Sequence, residues 1–337
     1  MIVSVKKNLA CTLAALALCG QALAATWWVD DDNYNAAYAN AAAYEAAGLD
    51  GTTAENAFGT IQIAVDKASA GDTIKVKAGV YNKGATLHEN GGSTSNRVVI
   101  TKRVHIKAVE GRGKTFIVGA AAPNGNANGL GEGATRCIFY LDHTDYGVDR
   151  AAIVEGFTIC GGRTGTGDDA SGYAGASFDD NRGQDPARHQ FWLVDCTISN
   201  CVAAVGGATR FGGLYRCLVA DCHSSVRVGA THSSHLHSCV VTHCSSLSQS
   251  DTEGVAQASS LVNCTFFANE GRINNKSGSM YTYNCVFANN TGITNEPGGE
   301  DCTHTATDGL NQIFAPVLGD WRLVKNSPAI GIAFAEY

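Results

Sequence analysis

The sequence predicts an all-β solenoid whose turns each hold two or three short parallel strands. Three observations predict it. The spelling "CTISNC" at 196 to 201 returns as "CLVADC" at 217, "CVVTHC" at 239, "CTFFAN" at 264 and "CVFANN" at 285. The leading cysteines are 21, 22, 25 and 21 residues apart, a period that belongs to stacked repeats rather than to a globular core. Three residues before them stand Leu193, Leu214, Leu236, Leu261 and Thr282, and two residues after them Ile198, Val219, Val241, Phe266 and Phe287, so apolar positions align in interior columns. Glycine reaches 39 residues while proline stops at five, a balance suited to many tight corners between strands. Leucine-rich repeats share the period, but their fixed leucine and asparagine consensus is missing.

Taken from the N-terminus, the 337-residue chain opens with Lys6 and Lys7, the apolar run "LACTLAALALCG" and Ala22-Leu23-Ala24. These are the three parts of a secretory signal, expected to be removed as residues 1–25. The run is shorter than the ~20 residues that cross a bilayer, and no later segment is long and apolar enough, so no membrane span is expected. The remaining 312 residues hold 22 Lys and Arg against 31 Asp and Glu, a formal charge of −9. That charge excludes nucleic acid held through counterion release. An anionic polysaccharide would need a local basic patch or bridging cations.

Residues 26–96 read as an N-terminal cap of strand, helix and first turn. In "NAFGTIQIAVDKASAGDTIKVKAGVY" at 56–81, Ile61, Ala64, Val65 and Ala68 line one face of a short helix that Gly71 ends. Ile74, Val76 and Ala78 then alternate with Thr73, Lys75 and Lys77 as a half-buried strand. The helix covers the open end of the coil, whose unpaired strand edges otherwise invite aggregation, and Trp27 and Trp28 are expected to pack there. Residues 97–337 read as one coil.

That entry segment, "VVITKRVHIKAVEGRGKTFIVGA" at 98–120 and "DWRLVKNSPAIG" at 320–331 resemble the entry, second and closing turns of secreted bacterial proteins of the pectate-lyase-like superfamily. The resemblance implies a right-handed parallel β-helix with a short N-terminal capping helix. It also implies a monomer, placed outside the cell, in the periplasm or at the cell surface, with a polysaccharide partner. Since the sequence ends soon after "SPAIG", release is expected over anchoring.

Eleven cysteines follow the signal, an odd number for an oxidising compartment, so at least one is unpaired. Equivalent residues of neighbouring turns lie about 4.8 Å apart with parallel side chains. That arrangement strains a disulfide and offers zinc no tetrahedral set. The leading cysteines are therefore expected as buried thiols packing like small hydrophobes. A second column runs Cys201, Cys222, Cys244, Asn269 and Asn290, where stacked asparagines can satisfy corner backbone groups.

In the superfamily this chain resembles, polysaccharide cleavage pairs carboxylates or calcium-bound carboxylates with an arginine or lysine base acting beside a uronate carboxyl. The polygalacturonase spellings "NTD", "GHG" and "RIK" are absent here, and "LDHTD" at 141–145 only approaches a calcium motif. The resemblance is specific for fold and weak for activity. Between Thr158 and Cys196, however, about half a turn is inserted, and long excursions from rigid scaffolds concentrate functional residues. Asp179, Asp180 and Asp185 of that insertion offer oxygens for calcium, and Arg182 and Arg188 offer contacts to substrate. The alternative reading is a solvated acidic loop. Seven residues before each leading cysteine stand His189, Arg210, His232, Gln257 and Gly278, expected as one outward ridge about 15 Å long. His189, Arg210 and His232 are the catalytic candidates on it, and Gln257 a substrate contact. Its alternative reading is the polar outer face that every solenoid needs. His223, His235, His237, His243 and His304 fall in several columns and read as surface histidines.

The functional expectation is a secreted β-helix protein that binds an extracellular, acidic polysaccharide along this ridge, with cleavage as the finer expectation and calcium as its cofactor. The rival is a non-catalytic, adhesin-like surface or matrix rod, favoured by the absence of a known catalytic spelling.

Overall fold

A computed structural model describes residues 24–141, 151–180, 191–246, 254–275, 282–283, 285–288, 290–291, 302–303 and 306–307. The body of the signal segment and the closing turn at 320–331 lie outside the described residues. Among the described residues, strands stack into sheets of ten, nine, seven and three members, and every strand pair within them is parallel. Parallel crossovers of this kind wind right-handed, because right-twisted strands pack back onto their sheet only that way. The chain is a right-handed parallel β-helix.

One turn shows the plan. Gly213–Tyr215 lies in the ten-stranded sheet, Leu218–Ala220 in the nine-stranded, His223–Arg227 in the three-stranded and Thr231–His232 in the seven-stranded, before His235–His237 rejoins the first. Turns that reach the three-stranded sheet thus hold four strands, more than the sequence period suggested. Single residues in the left-handed region make the bends: Arg216 at φ 53°, Asp221 at 52° and Ser233 at 52°. The expected glycines serve only some corners, such as Gly206 and Gly212 at φ 67° and 72°. Elsewhere Asp, Asn, Ser and Arg tolerate the positive φ that a one-residue corner demands.

The cap assembles as its pattern predicts. Helix α1 (Ala41–Ala46) precedes α2 (Ile61–Lys67), whose N-cap Thr60 accepts from the Ile63 amide at 3.2 Å and whose Ile61, Ile63, Ala64 and Val65 are buried. Between them, Gln62 accepts from the Val99 amide at 2.7 Å and donates to the Val99 carbonyl at 3.2 Å, satisfying the outermost strand of the seven-stranded sheet, Ser95–Ile100. The helix therefore answers an exposed edge with side-chain hydrogen bonds as well as with bulk. Trp27 stacks near Phe58 at 6.2 Å, as expected of the cap. Thr26–Val29, Thr73–Val76 and Gly79–Tyr81 already belong to the ten- and nine-stranded sheets, so residues 26–96 are both cap and first rungs.

The leading cysteines are buried, and the ten cysteines from Cys137 to Cys285 are thiols outside any disulfide. They do more than fill space. Cys217 donates to Leu193 and Tyr215 carbonyls at 3.3 and 3.5 Å, and Cys239 repeats this to Leu214 and His237 at 3.5 and 3.3 Å. Each thiol thus links a carbonyl beside its own corner to one on the preceding turn. In the second column Cys244 approaches the Val219 carbonyl at 3.9 Å, while Asn269 donates to the equivalent Val241 carbonyl at 2.9 Å and accepts from the Cys244 amide at 2.9 Å. Asn290 continues the ladder to Phe266 and Asn269. Cysteine and asparagine interchange because both place a donor under the same carbonyl.

Candidate functional site

The seven-stranded sheet separates two apolar clusters. Val98, Ile100, Ile138, Tyr140 and Ala176 face the main core, whereas Val99, Phe139, Leu141, Ala174 and Phe178 form a second cluster on the opposite, outer face. Strand register continues that outer column from Val99 through Phe139, Phe178, Arg210, His232 and Gln257 to Asn275. The ridge of Arg210, His232 and Gln257 is therefore one column, as the spacing predicted. Its neighbours differ from the prediction. The residue paired with Arg210 is Phe178, where counting back gave His189, and the residue paired with Gln257 is Asn275, where counting gave Gly278. The inserted residues break the period, so a fixed offset from Cys196 no longer reaches the seven-stranded sheet. His189, Arg182, Arg188 and Asp185 lie among residues 181–190, outside the described residues.

Asp179 and Asp180 also need correction as a solvated loop. They stand at the end of the strand Ser177–Asp179, 3% and 6% exposed, with the Asp180 amide bound to the Tyr140 carbonyl at 2.9 Å. Among the described residues, Asp30, Asp31 and Asp32 at the cap gather within one ion's reach, while Asp185, the third carboxylate of the calcium expectation, lies outside the described residues. At the cap Asp30 is paired with Lys77, and Asp31 accepts from the Val80 amide at 2.7 Å.

The described part of the insertion, from Arg163 to Ala176, folds back over the outer cluster. Arg136, fully buried on that outer face, holds it there. Its Nε donates to the carbonyls of Tyr173 and Ala174 at 2.8 and 2.9 Å, Nη2 to Ala170 at 2.8 Å, and Nη1 to Asn96 Oδ1 at 2.7 Å. Thr94 adds a second tie, accepting from the Gly165 amide at 3.0 Å and donating to the Ser171 carbonyl. Tyr173 consequently bridges Val205 and packs 5.4 Å from Phe178.

Against this cover the ridge becomes a site. The Arg210 guanidinium lies 3.4 Å from the centre of the Tyr173 ring and 5.1 Å from that of Phe211. Its Nε and Nη1 are shielded and have no hydrogen-bond partner among the described residues, and neither has Gln257 Oε1. Burial pulls Arg210 below its ordinary pKa, with Arg227 adding to the fall and Tyr173 and Asp168 opposing it. Burial, reinforced by Arg210 and Arg227, lowers His232 to about 3 against the pull of Asp168, so its ring is neutral near pH 7. His232 Nδ1 lies 3.2 Å from Ser233 Oγ. At the rim Arg227 contacts both oxygens of Asp168 at 2.5 Å. The column and its surroundings thus hold a guanidinium, a neutral imidazole, an amide group and two aromatic rings. Sequence reasoning placed Arg210, His232 and Gln257 in one column and noted Asp168 in the insertion, but did not single out Tyr173, Phe211, Arg227 or Arg136. Tyr173 and Asp168 sit in the insertion, which has no period to read.

No protein-family profile matches this sequence, and no curated protein does. Solved structures are similar to this chain at low scores. Pectin methylesterase PemA from Erwinia chrysanthemi is 14% identical, with 81% of this chain and 90% of that one covered and a TM-score of 0.35. A pectin methylesterase mutant in complex with a hexasaccharide gives the same identity and coverage at 0.34. Pectin methylesterase from carrot is 11% identical over 74% of this chain and 84% of that one, at 0.29. Among the described residues, no helix is long and apolar enough to cross a membrane.

Proposed function

We propose that this protein binds an acidic extracellular polysaccharide at the column of Arg210, His232 and Gln257. One observation carries the reading: the partly buried Arg210 guanidinium shares one outward column with His232 and Gln257 and lies 3.4 Å from the centre of the Tyr173 ring. A guanidinium meets a carboxylate through two parallel hydrogen bonds along one edge. The aromatic rings beside it supply apolar faces of the kind that line ligand sites. Neutral His232 and the Gln257 carbonyl oxygen complete it as acceptors for hydroxyl groups. Cleavage and a calcium requirement extend this reading: of the two base candidates, Arg210 and His232, the neutral His232 ring would take the proton beside the uronate carboxyl that Arg210 holds, and the glycosidic C–O bond would break as the C=C bond forms.

The test is binding of the mature chain to polygalacturonate, alginate, a glucuronate polymer and neutral glycans, with calcium or a chelator, while ultraviolet absorbance watches for a new C=C bond conjugated to a carboxyl. Anionic glycans should bind and neutral ones should not. Arg210→Glu should abolish binding. If Arg210→Glu still binds, the site lies elsewhere; if no glycan binds, the rod reading replaces this one.

A further inference from the structure

Equivalent outer-face positions recur on every turn, so they form a column along the coil axis. Here that column is covered on its N-terminal side. Val99, Phe139 and Phe178, the three column positions before Arg210, are 5%, 0% and 0% exposed. His88 lies over Phe139 with ring centres 4.9 Å apart, and Tyr173 stands edge-on to Phe178. From Arg210 onward the same column is only partly buried, at Arg210, His232 and Gln257 alike. The boundary between covered and accessible column is the Tyr173 ring, with Arg210 stacked on it.

This cover is fixed in place by more than contact. Four Arg136 hydrogen bonds, the Thr94 ties to Gly165 and Ser171, and the Ala174 amide bonded to the Val205 carbonyl at 2.9 Å hold it from three sides.

Resting on the acidic-polysaccharide reading above, we infer that the Arg210 column recognises the end of a chain. The terminal uronate places its carboxylate on the Arg210 fork against the Tyr173 wall, and the rest of the chain runs past His232 towards Gln257. An internal segment would need to continue through the space that Tyr173 and Phe178 occupy.

The test uses the mature wild-type chain with oligogalacturonates and oligoalginates of graded length, each unmodified, capped at the reducing end with a bulky fluorophore, or capped at the non-reducing end. Affinity per molecule should level off at short oligomers and stay within about twofold for the parent polymer. One cap should weaken binding by at least about tenfold, and the other should leave it within about twofold. Affinity per molecule that climbs in proportion to length, or equal binding of both capped series and the unmodified one, overturns end recognition while leaving the polysaccharide reading intact. No binding by any uronate oligomer or polymer overturns both.

Discussion

Replacing Arg136 with methionine tests the physical basis of the site most directly. The side chain is fully buried and gives hydrogen bonds to Tyr173, Ala174, Ala170 and Asn96. Two effects oppose each other. Burial pulls its pKa from 12.5 to about 9, so keeping the charge there costs on the order of 5 kcal/mol, which methionine relieves. Four acceptors lose their donor, and at about 2 kcal/mol each for a buried unsatisfied group the loss is about 8 kcal/mol. The difference, about 3 kcal/mol, falls on the insertion and its neighbouring rungs, because a solenoid loses stability locally. Hydrogen exchange should show the Gly165 and Ala174 amides, bonded to Ser171 and Val205 carbonyls, losing about a hundredfold of protection, as 1.4 kcal/mol per factor of ten requires. Amides of the capping helix should stay unchanged. Arg136→Lys should fall between, since an ammonium cannot reach four acceptors in one plane. Protection at Gly165 and Ala174 that stays within twofold in Arg136→Met would refute the claim that this arginine holds the wall.

Further outcomes follow from the same geometry. Arg210→Glu, besides abolishing glycan binding, should lower the thermal midpoint by an amount equivalent to about 1 kcal/mol through loss of its stack on Tyr173, measured by calorimetry. His232 has a folded pKa depressed to about 3 by burial with help from Arg210 and Arg227. Its contribution to stability is therefore present above the ordinary histidine value and lost as pH falls from about 6.5 towards 3, at up to about 1.4 kcal/mol per pH unit. A pH series of denaturation midpoints should show His232→Gln with a shallower acid decline than wild type, and parallel declines would contradict this. Asn269→Ala strands the Cys244 amide and Val241 carbonyl and should cost about 2–4 kcal/mol by chemical denaturation. Asn269→Cys, which restores a donor under Val241, should cost clearly less. Thiol titration of the mature chain in denaturant without reductant should recover at least the ten free cysteines described. Recovery of a single thiol would mean five disulfides and would sink the packing account.

The sequence by itself determined the coil. The period, the Leu, Cys and Ile, Val or Phe columns, the capping helix at Ile61–Lys67 and the asparagine ladder at Asn269 and Asn290 are local facts. A strand alternates faces every residue, and a stacked turn repeats its neighbour, so spacing alone places these side chains. It also determined that Arg210, His232 and Gln257 share a column, because no extra residues fall within the seven positions between each of them and the cysteine that follows. Only the tertiary structure decided what stands beside that column. Counting from Cys196 reached His189, whereas hydrogen-bonded register places Phe178 against Arg210, because the inserted residues add chain length at corners where no periodic rule applies. Asp179 and Asp180 read as loop carboxylates and proved to be buried at a strand end. Arg136 drew no notice as one arginine inside "TRCIFY", a spelling that resembles an ordinary strand. Its meaning comes from three carbonyls more than thirty residues away and an asparagine forty residues before it. Such convergence depends on how the insertion packs in three dimensions, and neither periodicity nor composition records it.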